Sequence, residues 1–267
     1  MFRLSAVAKV GAQPNGESPF LHPGDDGFER VAVITDVHAN LPALEAVLEA
    51  IRWLDVDALY CGGDLVGYGP HPNEVCRLVE ARRIPTIYGN YDWAIARDHL
   101  DCGCAYVTDR DRALGQCSVE WTLAHTDRHS KYFMRRLAFD LRFRMGDRRV
   151  RLVHGSPRKV NEYLFEDKPG RTFERIARGA DCDVLLFGHT HQPWVHEYGG
   201  VLFVNCGAVG KPKDGDPRAA FALLELDEAG QVQASIERVS YDAEAVARDL
   251  AAAGLPREYA EKLVAAA

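Results

Sequence analysis

From residue 31 onward, short apolar runs alternate with segments of helical spacing. Residues 31–35, 58–61 and 86–88 read as strands, and residues 42–54 and 72–81 between them read as helices. This βαβαβ opening predicts parallel pairing, since parallel neighbours need a crossover long enough to hold a helix. The second half changes character. Helices are expected between residues 111 and 136, followed by short strands at 139–145, 149–154, 184–187, 194–197, 201–205, 221–226 and 232–239. So many strands imply two sheets packed face to face. The expected fold is α/β, a four-layer αββα sandwich of two mixed β-sheets flanked by helices.

Residues 1–28 lack periodicity and are rich in Gly, Pro and Ser, which predicts a flexible N-terminal extension. Residues 29–267 then form a single domain that ends in a helical tail over about residues 242–267. Two amphipathic helices are expected in that tail, at 243–253 and 256–266 around Gly254.

With 267 residues and 47% hydrophobic content, the chain can bury a substantial core. Its longest apolar stretches reach about half a bilayer span, so no membrane crossing is expected. An Ala-Val-Ala run at positions 6–8 is interrupted by Lys9, too early for a signal peptide. Seven cysteines, an odd number scattered through the chain, do not look like a disulfide framework and point to a reducing cytoplasm. A formal charge of -7 argues against broad binding of nucleic-acid backbone. A small phosphorylated substrate, a nucleotide among the options, remains open because a metal site supplies positive charge locally.

Chemistry-bearing residues collect where strands are expected to end. Asp36-Val37-His38 follows the first strand, Gly62-Gly63-Asp64 the second and Gly89-Asn90-Tyr91-Asp92 the third. His154-Gly155 closes the strand at 149–154, and Gly188-His189-Thr190-His191 follows the strand at 184–187. Open α/β sheets gather their sites at carboxyl strand ends, and glycine lets backbone approach a ligand closely. A lone Asp-x-His means little: Asp127-Arg128-His129 has the same spacing inside a helical pattern, where a solvated face is expected. Asp and Asn also favour turns and helix caps. Five strand exits delivering acids, an amide and imidazoles make coincidence a poor explanation.

These five motifs, in this order over roughly residues 30–240, resemble the calcineurin-like metallophosphoesterases. The runs Gly62 to Pro70 and His154-Gly155-Ser156-Pro157 are similar to a bacterial branch described as phosphodiesterase-like or diadenosine-tetraphosphatase-like. The resemblance implies that Asp36, His38 and His191 hold one divalent ion, that Asn90, His154 and His189 hold a second, and that Asp64 bridges them. Mixed nitrogen and oxygen donors suit Mn, Fe, Zn or Ni. Two such ions can share a hydroxide that attacks a phosphodiester or a nucleotide phosphoanhydride.

One position departs from the family pattern. Many relatives place a histidine directly after the metal-binding asparagine, where it protonates the leaving oxygen and the next acid orients it; here those positions are Tyr91 and Asp92. A phenol with pKa near ~10 is poorly matched to that task at neutral pH. Diesters and good leaving groups are therefore expected over alkyl monoesters. Tyr91 packing on the pocket wall, and Asp92 capping a helix from Trp93, are the local alternatives. Asn40 is a candidate substrate contact or helix cap, and Ser156 and Arg158 are candidate phosphate binders or loop residues. The run Asn205 to Gly210 resembles a family loop near the metals, which implies that Asn205 orients the 188–191 turn, ordinary loop chemistry being the alternative, and Cys102-Gly103-Cys104 is read as structural. A binding scaffold with the same fold and a protein phosphatase are the rival functions; a complete ligand set argues against the first.

Overall fold

The structure, a computed structural model, describes residues 27–267. The extension expected at residues 1–28 lies outside them except for its last two positions. Two mixed sheets form the centre. The first has four strands: β1 (Arg30–Ile34) lies between β2 (Ala58–Cys61), which is parallel to it, and β8 (Ala219–Leu226), which is antiparallel, with β9 (Val232–Val239) beyond β8. In the second the order is β3 (Asp140–Met145), β4 (Arg148–Val153), β5 (Val184–Phe187), β7 (Val201–Asn205) and β6 (Trp194–Tyr198). The β4, β5 and β7 strands run parallel to their neighbours within that trio.

Alternation along the strands builds the layers. Val31 and Val33 of β1 meet Leu152, Val184, Leu186 and Val204 between the sheets. Ala32 and Ile34 point the other way, into a core shared with α1 (Leu41–Ile51), α2 (Pro72–Ala81), α3 (Asn90–Ala96) and α5 (Arg128–Arg135). On the far side of the second sheet, Leu185, Phe187 and Phe203 pack on Phe173 and Ile176 of α6 (Gly170–Ala180). Helices thus cover both outer faces, as the four-layer reading expects. The start of β1 is fixed by Asp57, whose carboxylate accepts from the Glu29 and Arg30 amides at 2.8 Å each.

Three elements differ from the sequence reading. The strand expected at 86–88 reduces to single parallel bridges, Cys61↔Thr86 and Ile87↔Ala138, because Pro85 has no amide hydrogen to extend a ladder. The helix expected from Trp93 starts at Asn90, and α6 was not anticipated, its apolar positions being few and flanked by arginines. Asp127 does not sit within a helix: it caps α5 by accepting from Ser130 N at 2.8 Å, and it and His129 are paired with Arg77 and Glu80 at the surface.

The tail helices α7 (Ala243–Ala252) and α8 (Arg257–Ala265) pack Val246, Leu250, Tyr259 and Leu263 against Leu114 of α4 (Asp109–His125) and against Tyr68. Tyr68 also belongs to the helix-side core, so the tail supports a residue next to the strand exits. Leu250→Ala should cost about 2–4 kcal/mol of unfolding free energy in urea, the usual cavity penalty for a buried leucine. A change below about 0.5 kcal/mol, the range of a surface site, would show that the tail is not part of the cooperative fold.

Candidate metal centre

Strand exits from both sheets meet at the seam between them. Asp36 and His38 leave β1 and Asp64 leaves β2, while His154 leaves β4 and His189 and His191 leave β5. Asn90 opens α3 opposite them. All seven side chains are buried, each 3% exposed or less. Two groups form: Asp36, His38 and His191, and Asp64, His154 and His189, with ligand atoms in each group within 4.8 Å of one another.

Backbone carbonyls fix the histidine tautomers. His38 Nδ1 lies 3.0 Å from Val66 O and His191 Nδ1 lies 2.6 Å from Lys211 O. A carbonyl has no proton to give, so both Nδ1 atoms are donors, and in the neutral rings that burial favours both Nε2 atoms carry lone pairs. Those two Nε2 atoms stand 3.1 Å apart, and His191 Nε2 is 3.2 Å from Asp36 Oδ1. Lone pairs facing lone pairs repel unless a cation sits between them. Donors about 2.0–2.2 Å from one ion lie roughly 2.8–3.1 Å apart at octahedral angles and about 3.3–3.6 Å apart at tetrahedral ones, so these separations fit a shared metal.

The second group is held in the same way. His154 Nδ1 donates to Gly62 O at 2.8 Å, and its Nε2 faces Asn90 Oδ1 at 3.2 Å and Asp64 Oδ2 at 3.4 Å. Asn90 Nδ2 donates to Cys102 O and Cys104 Sγ, which turns its oxygen inward. Asp64 Oδ2 is also 3.7 Å from His38 Nε2, so this carboxylate stands between the groups, while its Oδ1 accepts from Tyr91 N. Asp36 Oδ1 and His189 Nε2 are buried with no hydrogen-bond partner among the described residues. Orphaned acceptors aimed into one space are what an ion would satisfy.

Electrostatics point the same way. Burial pushes the His38, His189 and His191 rings below the ordinary imidazole range, toward the neutral form that ligates metals. Burial also raises the Asp64 carboxyl and takes Asp92, with Asp64 beside it, up to about 7. His154 differs: burial lowers its ring, but the Asp64 and Asp36 carboxylates outweigh that and carry it up to about 10. Without metal it keeps a proton, which an ion would displace.

Backbone strain concentrates here. Asp36, His38, Asp64, His189 and His191 all have left-handed φ values between 47° and 66°. At about 1 kcal/mol or more per residue, five such positions cost on the order of 5 kcal/mol, and such strain clusters at functional sites. Close approach is enforced by glycine. A Cβ on Gly188 would stand 2.2 Å from Asp36 Oδ2, and one on Gly89 would stand 2.0 Å from Asp64 Oδ1.

The remaining candidates sit around this core. Asn40 caps α1, accepting from Ala43 N, and donates to Gly210 O, so the cap reading describes it. Asp92 caps a helix that begins at Asn90, not Trp93: from the first turn of α3 it accepts from the Gly89 amide before the helix, and it also accepts from the Leu65 and Val66 amides, tying two ligand loops together. Tyr91 is buried against Gly67 with its ring edge-on to His38 at 5.6 Å, and its hydroxyl has no partner among the described residues. Burial pushes that phenol above its ordinary range. Ser156 Oγ and the Arg158 guanidinium both engage Glu162, which occupies the groups that a phosphate would need. Asn205 donates to Gly188 O and Thr190 Oγ1, bracing the 188–191 turn as expected.

Sequence reasoning missed the second sphere. Val66 O and Lys211 O orient histidines through backbone atoms that carry no residue signature. The Tyr163 ring lies 4.1 Å from the His189 ring, tilted 39° to it, and the Cys102 and Cys104 thiols, 3.0 Å apart, adjoin Asn90.

Residues 30–229 match the calcineurin-like phosphoesterase superfamily domain, and the chain belongs to that family. An uncharacterised protein of Methanocaldococcus jannaschii is 28% identical over 251 residues, covering 87% of this chain and 96% of its own length. The phosphodiesterase YfcE of Escherichia coli is 26% identical over 203 residues, 72% of this chain and 85% of its own. Among solved structures, a metallophosphoesterase from Sphaerobacter thermophilus is similar with a TM-score of 0.71 at 31% identity, covering 90% of this chain and 99% of its own. A hypothetical protein from Pyrococcus horikoshii shares the fold with a TM-score of 0.77 at 24% identity, covering 88% and 97%.

A ligand that binds only the folded state stabilises it by about 2.7 kcal/mol at 100 times its Kd. Mn²⁺ at that level should therefore raise the melting temperature by about 5–10 °C, and a chelator should reverse the shift. Asp36→Asn and His191→Asn should each remove at least half of it, measured by scanning calorimetry. An equal shift in wild type and both variants would place the metal elsewhere.

Proposed function

We propose that the chain is a metal-dependent phosphoesterase with a dinuclear centre, acting on phosphodiesters or nucleotide phosphoanhydrides. The observation that carries this reading is the pair of Nε2 lone pairs 3.1 Å apart beside an unpartnered Asp36 oxygen. Asp36, His38 and His191 would hold one divalent ion, Asn90, His154 and His189 the other, and Asp64 would touch both. When bound, the ions supply an activated water and neutralise charge on the phosphoryl oxygens. Mn, Fe, Zn and Ni all suit the donor set.

The chain's own residues set the geometry. Asp92 holds the Gly62–Asp64 loop against the start of α3 through three amides, and Tyr91 N holds Asp64 Oδ1, so the central carboxylate cannot rotate. Tyr91 occupies the position where many relatives carry an acid-donating histidine. A buried phenol held above its normal range is a reluctant proton donor, which leaves alkoxide leaving groups unassisted. Anhydrides, which expel a phosphate, and diesters of an acidic alcohol such as a phenol lose their leaving group without that help. The name of the YfcE relative, a phosphodiesterase, supports the same preference. Among the described residues no helix is long and apolar enough to cross a membrane, and the scatter of seven unpaired thiols supports a reducing, cytoplasmic setting.

Metal-loaded protein should hydrolyse bis(p-nitrophenyl) phosphate in Mn²⁺, Ni²⁺ or Zn²⁺ and should hydrolyse alkyl monoesters much more slowly; faster monoester turnover would sink the diester preference. Tyr91→His should raise alkyl monoesterase activity relative to diesterase activity on the order of tenfold, below the ~10²–10⁴ of a well-placed general acid. An unchanged ratio, with the variant folded and metal-loaded, would remove Tyr91 from specificity.

A further inference from the structure

The loop that follows Gly210 is strapped to a candidate ligand at two points. Lys211 O accepts from His191 Nδ1 at 2.6 Å, and Lys213 N donates to His191 O at 3.1 Å. The two lysine side chains of this loop are not used by the chemistry described above. Lys211 is only 8% exposed, yet its ammonium forms no ion pair or hydrogen bond with any described residue. It lies 4.9 Å over the face of Tyr68, whose ring is 5.0 Å from those of His38 and Tyr91. Lys213, half-buried, likewise has no acid partner among the described residues.

Nearby carboxylates are already taken. Asp111 is held by Lys262, Asp214 by Arg238, and Asp216 by Arg218 and Arg238. Burial pushes the Lys211 ammonium below its ordinary range, and the Tyr68 ring is its one close partner among the described residues. An anion reaching Nζ, which is not sealed from solvent, would restore its charge. Lys213 is within electrostatic reach of the metal-site acids: burial lowers its ammonium, and Cys104, Asp36 and Asp64 act against that.

We propose that Lys211 and Lys213 form an anion subsite at the edge of the candidate metal centre. It holds a second phosphoryl group of the substrate, one that is not attacked, and selects anhydrides carrying several phosphates over diesters carrying one. This rests on the phosphoesterase reading above. Lys211 supplies its charge beside Tyr68, and Lys213, two residues on and less buried, supplies a second. Because the backbone of the loop, not its side chains, orients His191, removing either ammonium leaves that hydrogen bond in place.

The test uses metal-loaded wild type, Lys211→Met, Lys213→Met and Lys211→Arg, each checked for melting temperature and metal content. Two readouts are taken: kcat and KM on a dinucleoside tetraphosphate and on bis(p-nitrophenyl) phosphate, and calorimetric binding of inorganic pyrophosphate. Lys211→Met should lower the ratio of kcat/KM for the tetraphosphate to that for the diester by about tenfold or more, the loss expected for one charge-assisted hydrogen bond, chiefly through KM. Lys211→Arg should restore most of it, and pyrophosphate should bind about tenfold more weakly to Lys211→Met, with a smaller effect in Lys213→Met. An equal fall on both substrates, or unchanged pyrophosphate affinity, would overturn the subsite. If Lys211→Met fails to fold or load metal, Lys213→Met decides by the same two criteria. If wild type turns over neither substrate, the phosphoesterase reading fails on its own, and the pyrophosphate titration alone then upholds or overturns the subsite.

Discussion

Two imidazole lone pairs, His38 Nε2 and His191 Nε2, are held 3.1 Å apart and next to a carboxylate oxygen that has no other partner. That contact is repulsive in the bare protein, and much of the surrounding structure serves to maintain it. Val66 O and Lys211 O lock the ring tautomers from behind, so neither ring can turn a proton inward to relieve the repulsion without losing a hydrogen bond. A divalent cation converts the same arrangement from repulsive to attractive. The free energy of such a bond, on the order of 10 kcal/mol for tight protein zinc sites, exceeds the backbone strain stored in the five left-handed ligand positions.

The two-sheet architecture follows from this demand. One sheet supplies Asp36 and Asp64, and the other supplies His154, His189 and His191, so the ligands converge only when the sheets pack face to face. Val31 and Val33 against Leu152, Leu186 and Val204 therefore hold the site as much as they hold the fold. Asp92, buried and shared among three amides, joins the loop after β2 to the start of α3. Asn205 does the same work for the 188–191 turn. Each ligand loop thus has a dedicated polar brace.

The layered fold and the seven central side chains were legible because they rest on local patterns: aliphatic runs of period two, and acids, imidazoles and glycines at the ends of those runs. The strand at 86–88 was overread because β-branched content spoke louder than Pro85, which removes an amide. Helix α6 was missed because its buried face, Phe173, Ile176, Ala177 and Ala180, is diluted by Arg171, Arg175 and Arg178. Roles that depend on long-range contact were beyond reach. Ser156 and Arg158 looked like phosphate binders by position, but Glu162 engages both. Lys211 belongs to no motif, and only the fold, which buries it over Tyr68, makes it stand out.

The most direct test of the central claim is anomalous X-ray diffraction from crystals of Mn²⁺-loaded protein, collected on both sides of the manganese edge. Two peaks are predicted, roughly 3.5–4 Å apart, one among Asp36, His38 and His191 and the other among Asn90, His154 and His189, with Asp64 between them. No peak at this seam, or a single peak that leaves one of the two groups unligated at saturating metal, would contradict the dinuclear account.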